Sequence, residues 1–309
     1  MTPHLARLLV GITVDILRSL AIAVGIVLIT FFLIRMIPGD VVDVRGLEGS
    51  LTYAQQSAMR DDLGLSRGWI EQFFTWLSMI STGDLGVSSR FATPIVDLIA
   101  TVLPSTLKLG LAALGIGLFF GIALPTLACV YPRSIFVGLV DFVTIWSITI
   151  PTFSIGILCV VVFAVWLGWI PAIGNFVVPA IILGMDIAGT IAKMLHEDMK
   201  DIEGADYIRT ARAKGLSPAR IVIGHILPNA FTIVIALAGL ILAGVLTGAL
   251  TMEVVFGLPG LGTLTLQAIK GRDYPVVQAV IIWLGLAVIF ANLLTDLLQR
   301  FIDPRLRKS

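Results

Sequence analysis

Residues 109–130, LGLAALGIGLFFGIALPTLACV, carry no charged side chain over 22 positions, a length that suffices to cross a bilayer as an α-helix. This run is one of several. The first, Ser19–Ile37, is stopped by IPGD, has no small-residue cleavage site after it, and is therefore read as a retained helix. The 44 residues between Asp141 and Asp186 are all uncharged, too many for one crossing, and LGWIPAIGNFVVP in their middle supplies the Pro, Gly and Asn of a turn. They hold most of spans three and four. Span five runs from about Pro228 to Met252 and span six from Val276 to about Thr295. With 57% hydrophobic and 13% charged residues and a mean hydropathy of +1.00, the 309-residue chain is an all-α integral membrane protein. Six transmembrane helices place both termini on one side. Cys129 and Cys159 fall inside apolar runs, so they read as small apolar side chains rather than disulfide or metal ligands.

A net charge of +1 gives no reason to expect a nucleic-acid partner, and the informative charge lies in its distribution. Residues 38–104 hold eight acids (Asp40, Asp43, Glu48, Asp61, Asp62, Glu71, Asp84, Asp97) against Arg45, Arg60, Arg67 and Arg90. That is a water-exposed segment of net charge −4. If the N-terminus is cytoplasmic, thirteen bases fall on inner segments, from Arg7 and Arg18 through Arg133, Lys193, Lys200, Arg209, Arg212, Lys214 and Arg220 to Arg300, Arg305, Arg307 and Lys308. The short outer loops then carry only Lys270 and Arg272, as the positive-inside rule requires. The chain divides into a cytoplasmic N-terminus with the first helix (1–37), an extracytoplasmic segment (38–104), and a five-helix core (105–309) that includes a cytoplasmic loop at 193–227.

That loop contains ADYIRTARAKGLSPARIVIGHILPNA, residues 205–230. Helical spacing places Ala205, Tyr207, Ile208 and Ala211 on one face, with Arg212 at its edge. The helix is too short to span, and its small-residue face suits docking against another protein. Gly215 stands where a helix end needs positive φ, with Lys214 before it complementing the dipole. Ser217-Pro218 then reads as an N-cap and a first-turn Pro, so a second helix starts at once. The pattern gives a rigid helix–Gly–helix elbow, or else an ordinary charged loop; spacing alone does not separate them.

The same residues resemble the EAA-type cytoplasmic loop of ABC importer permeases, in which E-A-A is followed by three residues, Gly, nine residues and I-x-L-P. Arg209, Thr210 and Ala211 stand at the E-A-A positions, Gly215 at the Gly, and His225 with Leu227-Pro228 at the end. Arg and Thr depart from the general pattern, but DYIRTARAKGLS is similar to the version in dipeptide, oligopeptide and nickel permeases. IPGD, LGLSRGWIEQFFTWL, TGDLGVS, LPSTLKL, IPTFSIGIL, EVVFGLPGLG, RDYPVVQA and DPRLR also look like that family. The resemblance implies a type I ABC importer transmembrane domain of the bacterial inner membrane, forming half of a pathway for peptides, nickel, metal chelates or related solutes. It implies as partners a second homologous permease, two cytoplasmic ATPases that bind ATP and Mg, and an extracytoplasmic solute-binding protein. It also implies a coupling helix, whose ATPase-docking residues would be Ala205, Tyr207, Ile208, Arg209, Ala211, Arg212, Gly215 and Leu216.

The chain has no G-x-x-x-x-G-K-[ST] to cradle ATP phosphates, no H-E-x-x-H and no G-x-S-x-G, so no catalytic residues, metal ligands or cofactor are assigned to it. In EVVFGLPGLG, the Gly and Pro residues interrupt span five, and irregular backbone at membrane depth is tolerated where protein or a cavity covers it. Glu253, Phe256, Pro259 and Gly260 are expected at the outer mouth of the pathway, with a plain surface turn as the alternative. Asp141, Asp186 and Asp296 are placed a turn or two from span boundaries, and His225 is expected to pack or cap at the elbow. The rival class is an ion-driven secondary transporter, which would use midplane ionisable groups and repeated broken helices and would leave the elbow unexplained. A channel or membrane scaffold would leave it unexplained too.

Overall fold

The structure, a computed structural model, describes residues 3–37, 39, 42, 43, 52–62 and 64–302. Pro38 and Asp40 of IPGD, Arg45 and Glu48 of the acidic segment, and the closing DPRLRKS lie outside the described residues. Among the described residues the regular structure is helical, apart from one isolated bridge between Val87 and Pro94. The helices are α1 (Pro3–Met36), α2 (Tyr53–Asp62), α3 (Trp69–Ser81), α4 (Ile95–Val130), α5 (Ile135–Thr149) and α6 (Thr152–Cys159, continued as a π-helical segment to Trp166). They continue as α7 (Val177–Glu203), α8 (Asp206–Ala213), α9 (Pro218–Ile221, followed by a π turn at Val222–Ile226), α10 (Leu227–Phe256), α11 (Leu261–Lys270) and α12 (Tyr274–Ile302).

Among the described residues, five stretches are long and apolar enough to cross a membrane: Gly11–Met36, Ile95–Val130, Val177–Glu203, Pro218–Phe256 and Tyr274–Gln299. Where the sequence places the third span, the structure has a bent pair of helices. α5 and α6 meet at a 99° bend, because Ile150 is extended and Pro151, which has no N–H to give, opens the new helix. The other boundaries differ from the sequence expectation by being longer. α4 begins at Ile95 rather than Leu109, and the fifth span begins at Pro218 rather than near Pro228. Pro228 does not end that helix. It cannot donate to a carbonyl four residues back, and the chain relaxes into the π turn, in which Leu227 N–H bonds to the Val222 carbonyl five residues earlier. Asn229 Nδ2 satisfies the His225 carbonyl at 2.6 Å.

The chain forms two compact units. The first comprises Met1–Leu17, Ser105–Leu258 and Phe290–Ser309. Its centre is α7, whose Leu183, Ile187, Ile191, Leu195 and Met199 repeat every four residues and are all buried in one apolar cluster. Ala188 and Ala192 on another side of α7 pack against Leu124, Ala128, Val140 and Val143. Small residues let the backbones approach this closely. A Cβ at Gly184 would lie 2.6 Å from Ile116, and one at Gly189 would lie 2.5 Å from the Val143 carbonyl oxygen.

The second unit comprises Arg18–Pro104 and Pro259–Ile289. Phe31 and Phe32 of α1 meet Phe73 and Trp76 of α3 at centroid distances of 5.2 to 5.9 Å, and Arg35 Nε donates to Gln72 Oε1 at 2.8 Å. A polar joint lies elsewhere in the same unit. Asp273 is fully buried and accepts from Ser88 Oγ at 2.5 Å, Arg90 N–H at 3.1 Å and Ser89 N–H at 3.3 Å. It thereby ties two segments 185 residues apart in sequence.

Candidate functional site

The elbow is a real element of the fold. α7 ends at Glu203, Gly204 and Ala205 turn the chain, and α8 begins at Asp206. α8 closes with both bonds of a Schellman motif: Gly215 N–H to the Arg212 carbonyl at 3.0 Å and Leu216 N–H to the Ala211 carbonyl at 3.4 Å. Gly215 has φ +75°, as its sequence position predicts, and open space around its missing Cβ. Ser217 occupies the next cap position with extended backbone, and Pro218 opens α9. The Ser217 side chain makes no capping bond, so the turn rests on backbone and Pro alone.

The predicted docking face is partly turned inward. Ile208 is fully buried and Ala211 nearly so, in the same apolar cluster as Leu195, Met199, Ile221 and Val222, with Ala205 and Leu216 packed against it. The small, apolar side of α8 therefore glues the elbow to its own chain. The physical reason is that an eight-residue helix cannot hold itself and needs tertiary burial. Its outward side carries Tyr207, 47% exposed, together with Arg209, Thr210, Ala213 and Lys214. Arg212 pairs with Glu203 across the turn, Arg209 lies 3.6 Å from Asp206, and Thr210 Oγ1 donates to the Asp206 carbonyl.

Of the four residues expected at a pathway mouth, Pro259 alone is exposed. Glu253 and Phe256 are fully buried in the first unit, where α10 ends in left-handed Gly257 at φ +60° and Gly174 N–H caps the Phe256 carbonyl at 2.8 Å. A Cβ at Gly257 would lie 2.7 Å from Ile173, so the turn after α6 sits directly on the end of α10. Pro259 and Gly260 belong to the second unit, where Pro259 is exposed and Gly260 caps α11 with Thr263.

A different polar locus emerges inside the first unit. Asp186 is the tenth residue of α7, about 14 Å along it at 1.5 Å per residue, and so well within a span rather than near its end. It opens on a cleft of about 560 Å³ between α7 and α10, also lined by Thr152, Thr190, Thr247 and Thr251. Spacing could have found this group: Thr247 and Thr251 are four apart on α10, and Asp186 and Thr190 are four apart on α7. Their mutual proximity could not be read, because it depends on how two helices distant in sequence are aligned.

The family described as the binding-protein-dependent transport system inner membrane component matches residues 113–308. A putative peptide transport system permease protein of Brucella abortus (strain 2308) is 34% identical over 312 residues, covering 96% of this chain and 99% of that protein. The glutathione transport system permease protein of Escherichia coli (strain K12) is 34% identical over 285 residues, covering 90% of this chain and 92% of its own length. Among solved structures, the methionine ABC transporter MetNI in inward facing conformations (CY5 native crystal form) is similar in fold, with a TM-score of 0.56 at 22% identity over 67% of this chain and 97% of that one.

Proposed function

The chain belongs to the binding-protein-dependent transport inner membrane component family, and from that premise we propose that it forms half of the translocation pathway of an ATP-driven importer for small peptides. The observation that carries this reading is end-to-end similarity to peptide and glutathione transport permeases, with nearly the full length covered on both sides. The elbow supports it. A short helix packed to its own chain by Ile208 and Ala211, stiffened by a Schellman close and continuous through α9 with a span of the membrane, is a lever that can pass an outside push to α10.

In this reading Tyr207, Arg209, Thr210 and Lys214 meet a cytoplasmic ATPase, while the buried pair transmits the displacement. Arg209, where the general E-A-A pattern has Glu, gives the contact a positive charge and so selects an ATPase groove with acidic lining. A second permease completes the pathway, an extracytoplasmic protein delivers the solute, and ATP and Mg act on the partner subunits. Both termini are cytoplasmic, and the segment after α1 faces the solute-binding protein. Closure of the ATPases would rock the helix bundles between inward and outward access.

The test is uptake of labelled dipeptides, glutathione and nickel by vesicles holding the complete complex, with ATP inside and the binding protein outside. ATP-dependent accumulation of a peptide is expected. Uptake by this chain alone, driven by a proton or sodium gradient, would overturn the importer reading.

A further inference from the structure

Asp186 is an acid in the interior of an apolar helix, and there a carboxylate costs about 2.5–3.5 kcal/mol on insertion scales unless something offsets it. Among the described residues, nothing does: the Asp186 carboxylate has no hydrogen-bond or ion-pair partner. It faces instead the cleft between α7 and α10. Three of the four surrounding hydroxyls are oriented by their own helices. Thr190 Oγ1 donates to the Asp186 carbonyl, Thr247 Oγ1 to the Ala243 carbonyl and Thr251 Oγ1 to the Thr247 carbonyl. Each of these three hydroxyls has spent its only proton on the backbone, so what they leave available to a ligand is oxygen lone pairs.

A carboxylate among hydroxyl acceptors, with no committed donor, is a receptor for a cation. The remaining wall is apolar or small, with Gly244 and Gly248 leaving α10 bare beside the threonines. A cleft of about 560 Å³ is ample for a dipeptide and falls in the range of small-molecule sites. We propose that Asp186, with Thr190, Thr247 and Thr251, is a way-station on the transport path that holds the positively charged head of the substrate, the α-ammonium of a peptide. The site rests on the import reading above. It supplies what an apolar passage lacks, a compensating charge at the depth where water is scarcest, and the rest of the wall leaves side-chain identity unread. A metal cation presents the same charge to the same oxygens, so the test carries both probes.

The experiment compares wild type, Asp186→Asn and Asp186→Glu in the complete complex in vesicles, measuring dialanine uptake, Ni²⁺ uptake and ATP hydrolysis. Asn keeps the size and hydrogen-bonding capacity but not the charge; Glu keeps the charge. The expected result is that D186N moves about tenfold less dialanine per ATP hydrolysed, the equivalent of one lost charge-assisted bond, with assembly and ATP hydrolysis retained and with D186E restoring most of the transport. The same pattern with Ni²⁺ alone assigns the cation site to a metal and overturns the ammonium. Unchanged dialanine uptake in D186N, equal loss in D186N and D186E, or separation of the two permeases on size exclusion overturns the site while leaving peptide import standing. No ATP-dependent uptake of dialanine by wild type overturns the peptide reading and the ammonium site with it.

Discussion

α1 and α7 are both apolar helices of spanning length, yet only 11% of the spanning window of α1 is buried by the protein, against 56% for α7. α1 is the more apolar of the two. In water that order would be reversed, because apolar surface would drive burial. In a bilayer the lipid tails are as apolar as Leu, so the helix with the greater hydrocarbon surface has the least need of protein neighbours. α7 instead carries Gly184, Gly189, Ala188 and Ala192, and its contacts come from close backbone approach. Small residues, more than hydropathy, identify the helix around which a membrane unit is organised.

One substitution made in both helices puts the contrast to the sharpest test. Gly189→Ala on α7 places a Cβ 2.5 Å from the Val143 carbonyl oxygen, and should cost about 3 kcal/mol, the upper end for overpacking, seen as a large drop in thermal stability of the purified protein. A stable G189A protein would remove α7 from its central place. Next in size, Asp273→Ala leaves Ser88 Oγ and two backbone N–H groups of the second unit without their acceptor and should cost about 2 kcal/mol, with Asp273→Asn costing less. Proteolysis between residues 82 and 94 would report the loosening of that loop.

Gly215→Val should cost about 1–2 kcal/mol, from the left-handed backbone alone, since nothing crowds the site. Its larger effect is expected on coupling: ATP hydrolysis continues while uptake per ATP falls. Normal coupling in that variant would refute the elbow as a lever. Smallest, and opposite in sign, Gly25→Ala on α1 meets nothing within 4 Å and should be neutral or stabilise by up to about 1 kcal/mol, the helix-propensity gain. A destabilised G25A protein would mean that α1 is packed along its length by something.

Much of this was legible early. Uncharged runs announced the spans, because a charge in hydrocarbon is costly enough to be nearly absent. Gly215 and Ser217-Pro218 announced the elbow, because positive φ and a missing N–H are local requirements that a few residues meet. The inward turn of Ile208 and Ala211 was not legible, since an apolar face reads the same whether it meets a partner or its own chain. Burial of Glu253 and Phe256 was missed for a related reason: the turn at Ile173 and Gly174 that covers α10 is some 80 residues away in sequence. Asp273 passed unnoticed as one acid among twenty, because two of its donors are backbone N–H groups that no residue pattern marks and the third, Ser88 Oγ, lies 185 residues away in sequence.

By itself, then, the sequence determined the solvent and the local geometry: where the apolar stretches of spanning length lie, where the elbow bends and which family the loop resembles. These follow from transfer energies and backbone sterics, which act on neighbours in the chain. Only the tertiary structure decided which helix is central, which face of the elbow is free, and that Asp186 shares a cleft with Thr247 and Thr251. Those outcomes depend on the alignment of helices far apart in sequence, set by close contact between small residues, and no single stretch of chain encodes them.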